Sequence, residues 1–137
     1  MSDLAHSLQM LHQACHRAWS KAAREAGVSF SEFEYLSAVQ EQADLQRYED
    51  VHGQHLQDIV EALGVTKASA STMVSKLEAR GWVTRFQCQV DARAQHIILT
   101  EEGQIKLAGG QRLYAKIASE LPPSLGQAIS PRSTSGQ

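Results

Sequence analysis

From Thr66 to Lys76 the chain sets Lys67, Ala68, Ser69, Ser71 and Thr72 in close succession: hydroxyls, methyls and ammonium groups on short spacing. Such groups have little covalent chemistry to offer. They donate hydrogen bonds to phosphate oxygens and base edges, and Ala and Thr methyls can touch the methyl of thymine. Farther on, Asp91 and Arg93 stand two apart in the polar run Gln89-Val90-Asp91-Ala92-Arg93-Ala94-Gln95. A guanidinium suits a narrow, negatively charged groove, and the neighbouring carboxylate can hold it in place or close a turn.

The elements that must position these residues are legible around them. Thr66 is placed to cap a helix by accepting from a free backbone N–H of its first turn. Ala70, Met73, Val74 and Leu77 recur at steps of three and four, which makes one apolar stripe and leaves Lys67, Ala68, Ser69, Ser71, Thr72 and Ser75 mainly outward. Small hydroxyl residues are mediocre on a merely solvated helix face, where Glu and Lys serve better. Gly81 then stops the helix, with Arg80 well placed in the dipole of its last turn. Upstream, His55 to Gly64 carries Leu56, Ile59, Val60 and Leu63 on one side, and Gly64-Val65-Thr66 supplies a tight turn between two helices. Downstream, Trp82, Val83, Arg85 and Phe86 begin a strand whose partner is His96-Ile97-Ile98-Leu99, and the hairpin between them carries Arg93 at its tip.

The run LGVTKASASTMVSKLEARGWVTR, then DAR, then LTEEG resembles the multiple-antibiotic-resistance regulator (MarR) family of bacterial transcription factors. The resemblance spans about Phe30 to Leu107 and includes Asp91, Arg93, Leu99, Thr100 and Gly103. It implies a homodimeric repressor or activator on a pseudo-palindromic double-stranded DNA operator, released by a small, often aromatic, effector. Carried over residue by residue, contacts to DNA fall on Thr66, Lys67, Ala68, Ser69, Ser71, Thr72 and Lys76. Arg93 enters the minor groove, with Asp91 as its positioning partner.

The expected fold is mainly α with a small β-hairpin wing, a winged helix-turn-helix flanked by N- and C-terminal dimerisation helices. Residues 1–27 form the first dimerisation helix, 28–100 the DNA-binding domain, 101–121 the second dimerisation helix and 122–137 a disordered tail poor in large apolar residues. A chain of 137 residues has room for one core and little for a second independent unit. Its net charge of −2 conceals an asymmetry: five basic and two acidic residues over Gly64–Thr100, against eight acidic and one basic over Val28–Leu63. The basic face is therefore local, and the acidic helices are expected to point away from the phosphates. No stretch is long or apolar enough to span a membrane, and the start lacks a signal-peptide layout, so the expected location is cytoplasmic. Cys15 and Cys88 suit a reducing compartment.

The first helix reads Asp3 to Ala26, with Leu4, Leu8, Leu11, Cys15, Ala18 and Ala22 on a heptad seam and Trp19 beside it. Ser31 and Glu34 have capping-box spacing for the second helix, with Phe30 and Tyr35 as its staple. Phe33, Tyr35, Leu36 and Val39 follow as its apolar residues. Trp19, Phe33 and Tyr35 are the candidates for contact with an aromatic effector. The segment Gln40–Gln54 either extends this helix or forms a surface loop, Gly53 favouring a break. Thr100 caps a last helix to about Glu120, weakened in its middle by Gly109-Gly110 and stopped by Pro122-Pro123. His12 and His16 lie one helical turn apart, and His6, His52 and His55 could join them in a metal site, but no well-spaced carboxylate–histidine cluster stands out, so neither metal nor cofactor is expected. Two alternatives stay open: redox sensing through Cys15, and a winged-helix module that binds protein or RNA without specific DNA recognition. No nucleophile elbow, phosphate loop or triad is present, so the chain does not read as an enzyme.

Overall fold

A computed structural model describes residues 3–45, 54–87 and 95–123. In chain order the elements are α1 (Asp3–Ala26), α2 (Phe30–Asp44), β1 (Gln54–His55), α3 (Leu56–Leu63), α4 (Lys67–Ala79), β2 (Val83–Gln87), β3 (Gln95–Leu99) and α5 (Glu101–Glu120). They divide into two compact units, Val28–Gly110 on one hand and Met1–Gly27 with Gln111–Gln137 on the other. The architecture is the expected one, mainly helical with a β-hairpin wing.

In the unit Val28–Gly110, α2 packs against α3, α4 and β3. Leu36, Val39, Ile59, Ala70, Val74, Leu77 and Ile97 are all but inaccessible and form its centre. Each large aliphatic side chain so buried contributes about 1.5–3 kcal/mol relative to exposure. The α4 stripe is narrower than its spacing suggests: Ala70, Val74 and Leu77 are buried, whereas Met73 is half-buried on the flank. At the end of α4, Gly81 takes φ +78°, and its N–H bonds to Glu78 O at 2.9 Å while Trp82 N–H reaches Leu77 O at 3.0 Å. This paired closure satisfies two end carbonyls and needs a left-handed residue at its pivot.

The hairpin pairs Val83 with Leu99 through to Gln87 with Gln95. A third strand, β1, joins the other edge of β3 through Gln54 opposite Ile97 and His55 opposite His96, giving the order β1-β3-β2. It was not anticipated, because two residues are too short for any alternation to register. His96 is fully buried on this sheet, with its ring stacked on Phe86 and edge-on to His55. The hairpin is fastened at its base by Thr100. Its hydroxyl donates to Gly81 O at 2.6 Å and accepts from Gly103 N–H at 3.0 Å, and its own N–H donates to Trp82 O at 3.0 Å.

Two glycines of α5 are required by close approach. A β-carbon on Gly103 would overlap the Trp82 carbonyl oxygen, and one on Gly110 would overlap the Phe33 ring. The expected weakness at Gly109-Gly110 therefore does not interrupt the helix, which runs unbroken to Glu120; the packing of Phe33 on Gly110 outweighs the propensity loss.

The capping box of α2 differs from the expected one. Its N-cap is Ser29, not Ser31: Ser29 Oγ accepts from Glu32 N–H at 3.1 Å, and Glu32 Oε1 accepts from Ser29 N–H at 2.9 Å. Val28 and Phe33, both buried, occupy the staple positions in place of Phe30 and Tyr35, and Phe30 is 42% exposed. The frame is decided by tertiary structure. Glu32 is only 2% exposed, and its Oε2 accepts from Arg80 Nη1 at 2.6 Å with Lys76 Nζ at 3.5 Å. Arg80 in turn lies flat over Trp82, 3.9 Å from the ring centre. One carboxylate thus joins the start of α2 to the end of α4. This also departs from the expectation that the acidic helices point away from the basic face.

In the other unit, α1 ends as expected at Gly27, with φ +72°. Trp19 is buried rather than flanking the seam, its ring edge-on to Tyr114 at 5.8 Å. The seam itself is only partly covered: Leu4 and Leu8 are 55% and 61% exposed, and Leu11, Cys15, Ala18 and Ala22 are half-buried. A cleft of about 510 Å³ runs between α1 and the second half of α5, floored by Ala18, Ala22 and Leu113 and edged by Arg17, Lys116 and Glu120. Among the described residues no helix is long and apolar enough to cross a membrane.

Burial raises the Glu32 pKa, but the Ser29 amide, the Arg80 guanidinium and the Lys76 charge more than offset it, holding the carboxyl below its ordinary 4.5. A depressed folded value means the stabilisation is complete above the ordinary carboxylate range and disappears as pH falls through the lower folded value. Glu32→Gln is expected to cost about 1.5–3 kcal/mol in urea unfolding at pH 7, the usual loss for hydrogen bonds to a charged group. The variant's stability should also fall less steeply below pH 4.5. A parent-like unfolding midpoint at pH 7 would contradict the bridge.

Candidate nucleic-acid interface

The first turn of α4 is built by Thr66, whose Oγ1 accepts from Ser69 N–H at 3.0 Å and donates to Ser69 Oγ at 2.9 Å. The Ser69 hydroxyl proton is thereby left to an outside acceptor. Behind Thr66, Gly64 closes α3 at φ +67°. α3 and α4 pack on each other as the two arms of a helix-turn-helix.

On the outer face of α4, Thr66, Lys67, Ala68, Ser69, Thr72, Ser75 and Lys76 are exposed. Ser71 is half-buried, because one residue past Ala70 and three before Val74 it lies on the flank of the buried stripe. Ala68, Ser69, Thr72, Met73 and Lys76 surround a shallow depression of about 500 Å³. The surface is uncharged at its centre, small enough for base edges to approach closely, and has a free helix N-terminus at one end, where backbone N–H groups favour an anion.

The cations around this face are more engaged than their number suggests. Arg85 on β2 donates from Nη2 to Ser75 Oγ and Glu78 Oε1, both at 3.1 Å, tying the hairpin to the side of α4. Lys76 and Arg80 share Glu32. The tie from Arg85 and the Glu32 bridge were both invisible to a count of charges along the chain. Spacing could have found the first, since Ser75 and Glu78 lie one turn apart on α4.

Asp91, Arg93 and Cys88 lie outside the described residues, as does His52. The described ends of the hairpin, Gln87 and Gln95, are paired directly across from each other. Of the candidates for an aromatic effector, Trp19 is buried in the unit that contains α1. Phe33 and Tyr35 are buried in the unit that contains α2. Burial, with a smaller push from Glu34, raises the Tyr35 phenol above its ordinary value. Cys15 is a half-buried free thiol on α1. No cluster of three or more His, Cys, Asp or Glu side chains able to hold a metal occurs among the described residues.

The comparisons with known proteins agree with this geometry. The MarR family model matches residues 40–94, which contain α3, α4 and β2 and end just before β3. The HTH-type transcriptional repressor MdtR of Bacillus subtilis (strain 168) is 26% identical over 125 residues, 88% of this chain and 75% of its own. Bordetella bronchiseptica BpsR, a structure concerned with regulation of DNA binding by 6-hydroxynicotinic acid, superposes with a TM-score of 0.66 at 19% identity, covering 93% of each chain. The S. aureus MepR–DNA complex gives 0.64 at 18%, covering 81% of this chain and 84% of the other. At those identities the two structures speak for the fold, and the family match and MdtR for similarity in sequence. The helix-turn-helix with its hairpin and the match to the MarR family model over residues 40–94 point the same way: over that segment the chain is similar to the MarR family of transcriptional regulators.

Proposed function

We propose that the chain is a cytoplasmic repressor that binds a pseudo-palindromic operator as a homodimer and leaves it when a small aromatic effector binds. The observation that carries this reading is the outer face of α4, where Lys67, Ala68, Ser69 and Thr72 are exposed on a helix whose other side, Ala70, Val74 and Leu77, is locked in the core. α4 lies in the major groove. Thr66, Lys67 and the first-turn amides meet phosphate, while Ala68, Ser69, Ser71 and Thr72 meet base edges. Lys76 stands at the far end of this face. Arg93, held by Asp91, enters the adjacent minor groove from the hairpin.

Relatives support the repressor, DNA and effector parts of this reading: MdtR is a repressor, MepR is found on DNA, and BpsR's DNA binding is regulated by 6-hydroxynicotinic acid. Dimerisation draws on the half-open seam of α1. Exposed Leu4 and Leu8, and a cleft with an apolar floor between opposite charges at its rim, suit a second copy of the same surface. The effector contact is proposed to fall on an aromatic side chain, Trp19 in the one unit or Phe33 or Tyr35 in the other.

Selection of bound duplexes from a random pool tests the reading directly; an inverted repeat should emerge, and no enrichment of any sequence would reject it. On the selected duplex, Arg93→Ala should weaken binding by about 1–3 kcal/mol without altering the unfolding curve. Parent-like affinity would remove Arg93 from the contact. Thr72→Glu should abolish binding by setting a carboxylate against the duplex, so retained affinity would mean that another helix is the reader. Light scattering should give about twice the 15.0 kDa monomer mass, and a monomer would count against the palindrome.

A further inference from the structure

Four of the five cations in Gly64–Thr100 are described, and three of them already face carboxylates of this protein. Arg85 is paired with Glu78 at 3.1 Å; Arg80 and Lys76 are paired with Glu32 at 2.6 and 3.5 Å. The fourth, Lys67, is exposed in the first turn of α4 and has no ion pair among the described residues. Lys76 sits one turn beyond Thr72 on the reading face, and its side chain is 56% exposed, so distance alone does not keep it from a phosphate. The carboxylate beside it does oppose that contact. A lysine that brings its own anion to a polyanion neutralises no phosphate and releases no counterion.

Resting on the proposal that α4 meets a duplex, we infer that Glu32 is a specificity-determining positioning residue, whose buried carboxylate withdraws Lys76 and Arg80 from the DNA backbone. Glu32 does not touch DNA. It acts through the two cations, and its own place is set by the α2 capping box, where Ser29 N–H fixes one oxygen and leaves the other to face α4. Arg80 is doubly held, by Glu32 and by the face of Trp82; Lys76 is held by Glu32 through the longer of the two contacts. Attraction to phosphate is blind to sequence and supplies nearly all non-specific affinity. Masking it at the end of α4 leaves discrimination to the uncharged face of Ala68, Ser69 and Thr72. Glu32 thus lowers affinity for every duplex and widens the gap between the operator and all others.

Salt titration of binding reads this directly, using full-length protein with the selected operator and, separately, a random-sequence duplex. Lys67→Gln should flatten the slope of log K against log salt by about 0.9, the value of one phosphate contact, whereas Lys76→Gln in the parent should move it by less than about 0.3. Glu32→Gln, if it folds, should steepen the random-duplex slope by about 0.9 as Lys76 is released, tighten random-duplex binding several-fold and shrink the operator preference. A purely architectural Glu32 would instead weaken binding to both duplexes with slopes unchanged, which would overturn the inference. A Lys76→Gln slope as flat as that of Lys67→Gln would overturn it too, and does not depend on the Glu32 variant folding. If the parent prefers no duplex at all, the repressor reading fails first and this one falls with it. Operator preference retained alongside a flattened Lys76→Gln slope rejects this inference alone.

Discussion

One buried carboxylate sets the relation between the start of α2 and the end of α4. Glu32 is taken out of water, and the cost of that burial is several kcal/mol unless every lone pair finds a donor. Here the Ser29 amide, the Arg80 guanidinium and the Lys76 ammonium supply the donors, and Trp82 supports Arg80 from the other side. The four partners come from three local motifs: a helix N-cap (Ser29), the end of α4 (Lys76 and Arg80) and Trp82, the residue just before the wing strand. The bridge requires all three to be formed in register. It therefore selects one arrangement of helix, helix and hairpin from those that the apolar core, which has little directional preference, would accept.

Helix α4 itself depends on a division of labour between two faces. Ala70, Val74 and Leu77 anchor it by burial, while the residues between them remain small. Arg85 binds the flank of α4 to β2, so the hairpin and the helix are joined along their length as well as through the Gly81 turn. Such ties hold the spacing between helix and hairpin fixed, which the proposed base contacts require, since they discriminate only when donors are in register with a duplex.

Much of this was legible along the chain. The limits of α1 and α4, the Thr66 and Thr100 caps and the Gly81 stop are decided by neighbours within a turn or two, and sequence spacing carries that information well. The capping box of α2 was placed two residues too late because Ser29–Glu32 and Ser31–Glu34 have identical spacing. What separates them is Arg80, 48 residues from Glu32. For the same reason a count of charges found a basic segment but not its internal neutralisation. The continuity of α5 through Gly109-Gly110 rests on Phe33, again distant in sequence, and β1 is too short to carry a pattern. Contacts at long sequence separation decided each case that local propensity could not.

The joint at Thr100 gives the hairpin the mechanics of a cantilever. Both strands are clamped most tightly at Val83 and Leu99, where the Thr100 hydroxyl and amide grip Gly81 and Trp82 and Gly103 leaves no slack for a methyl group, with Arg85 and β1 as side ties farther out. Four residue steps of about 3.4 Å make an arm of roughly 14 Å, so a tilt of about 10° at the clamp displaces Gln87 and Gln95 by about 2.4 Å. That is about two-thirds of the rise of one base step. Sub-ångström adjustments beneath Trp82 are thereby magnified into a displacement of ångströms at the far end of the ribbon.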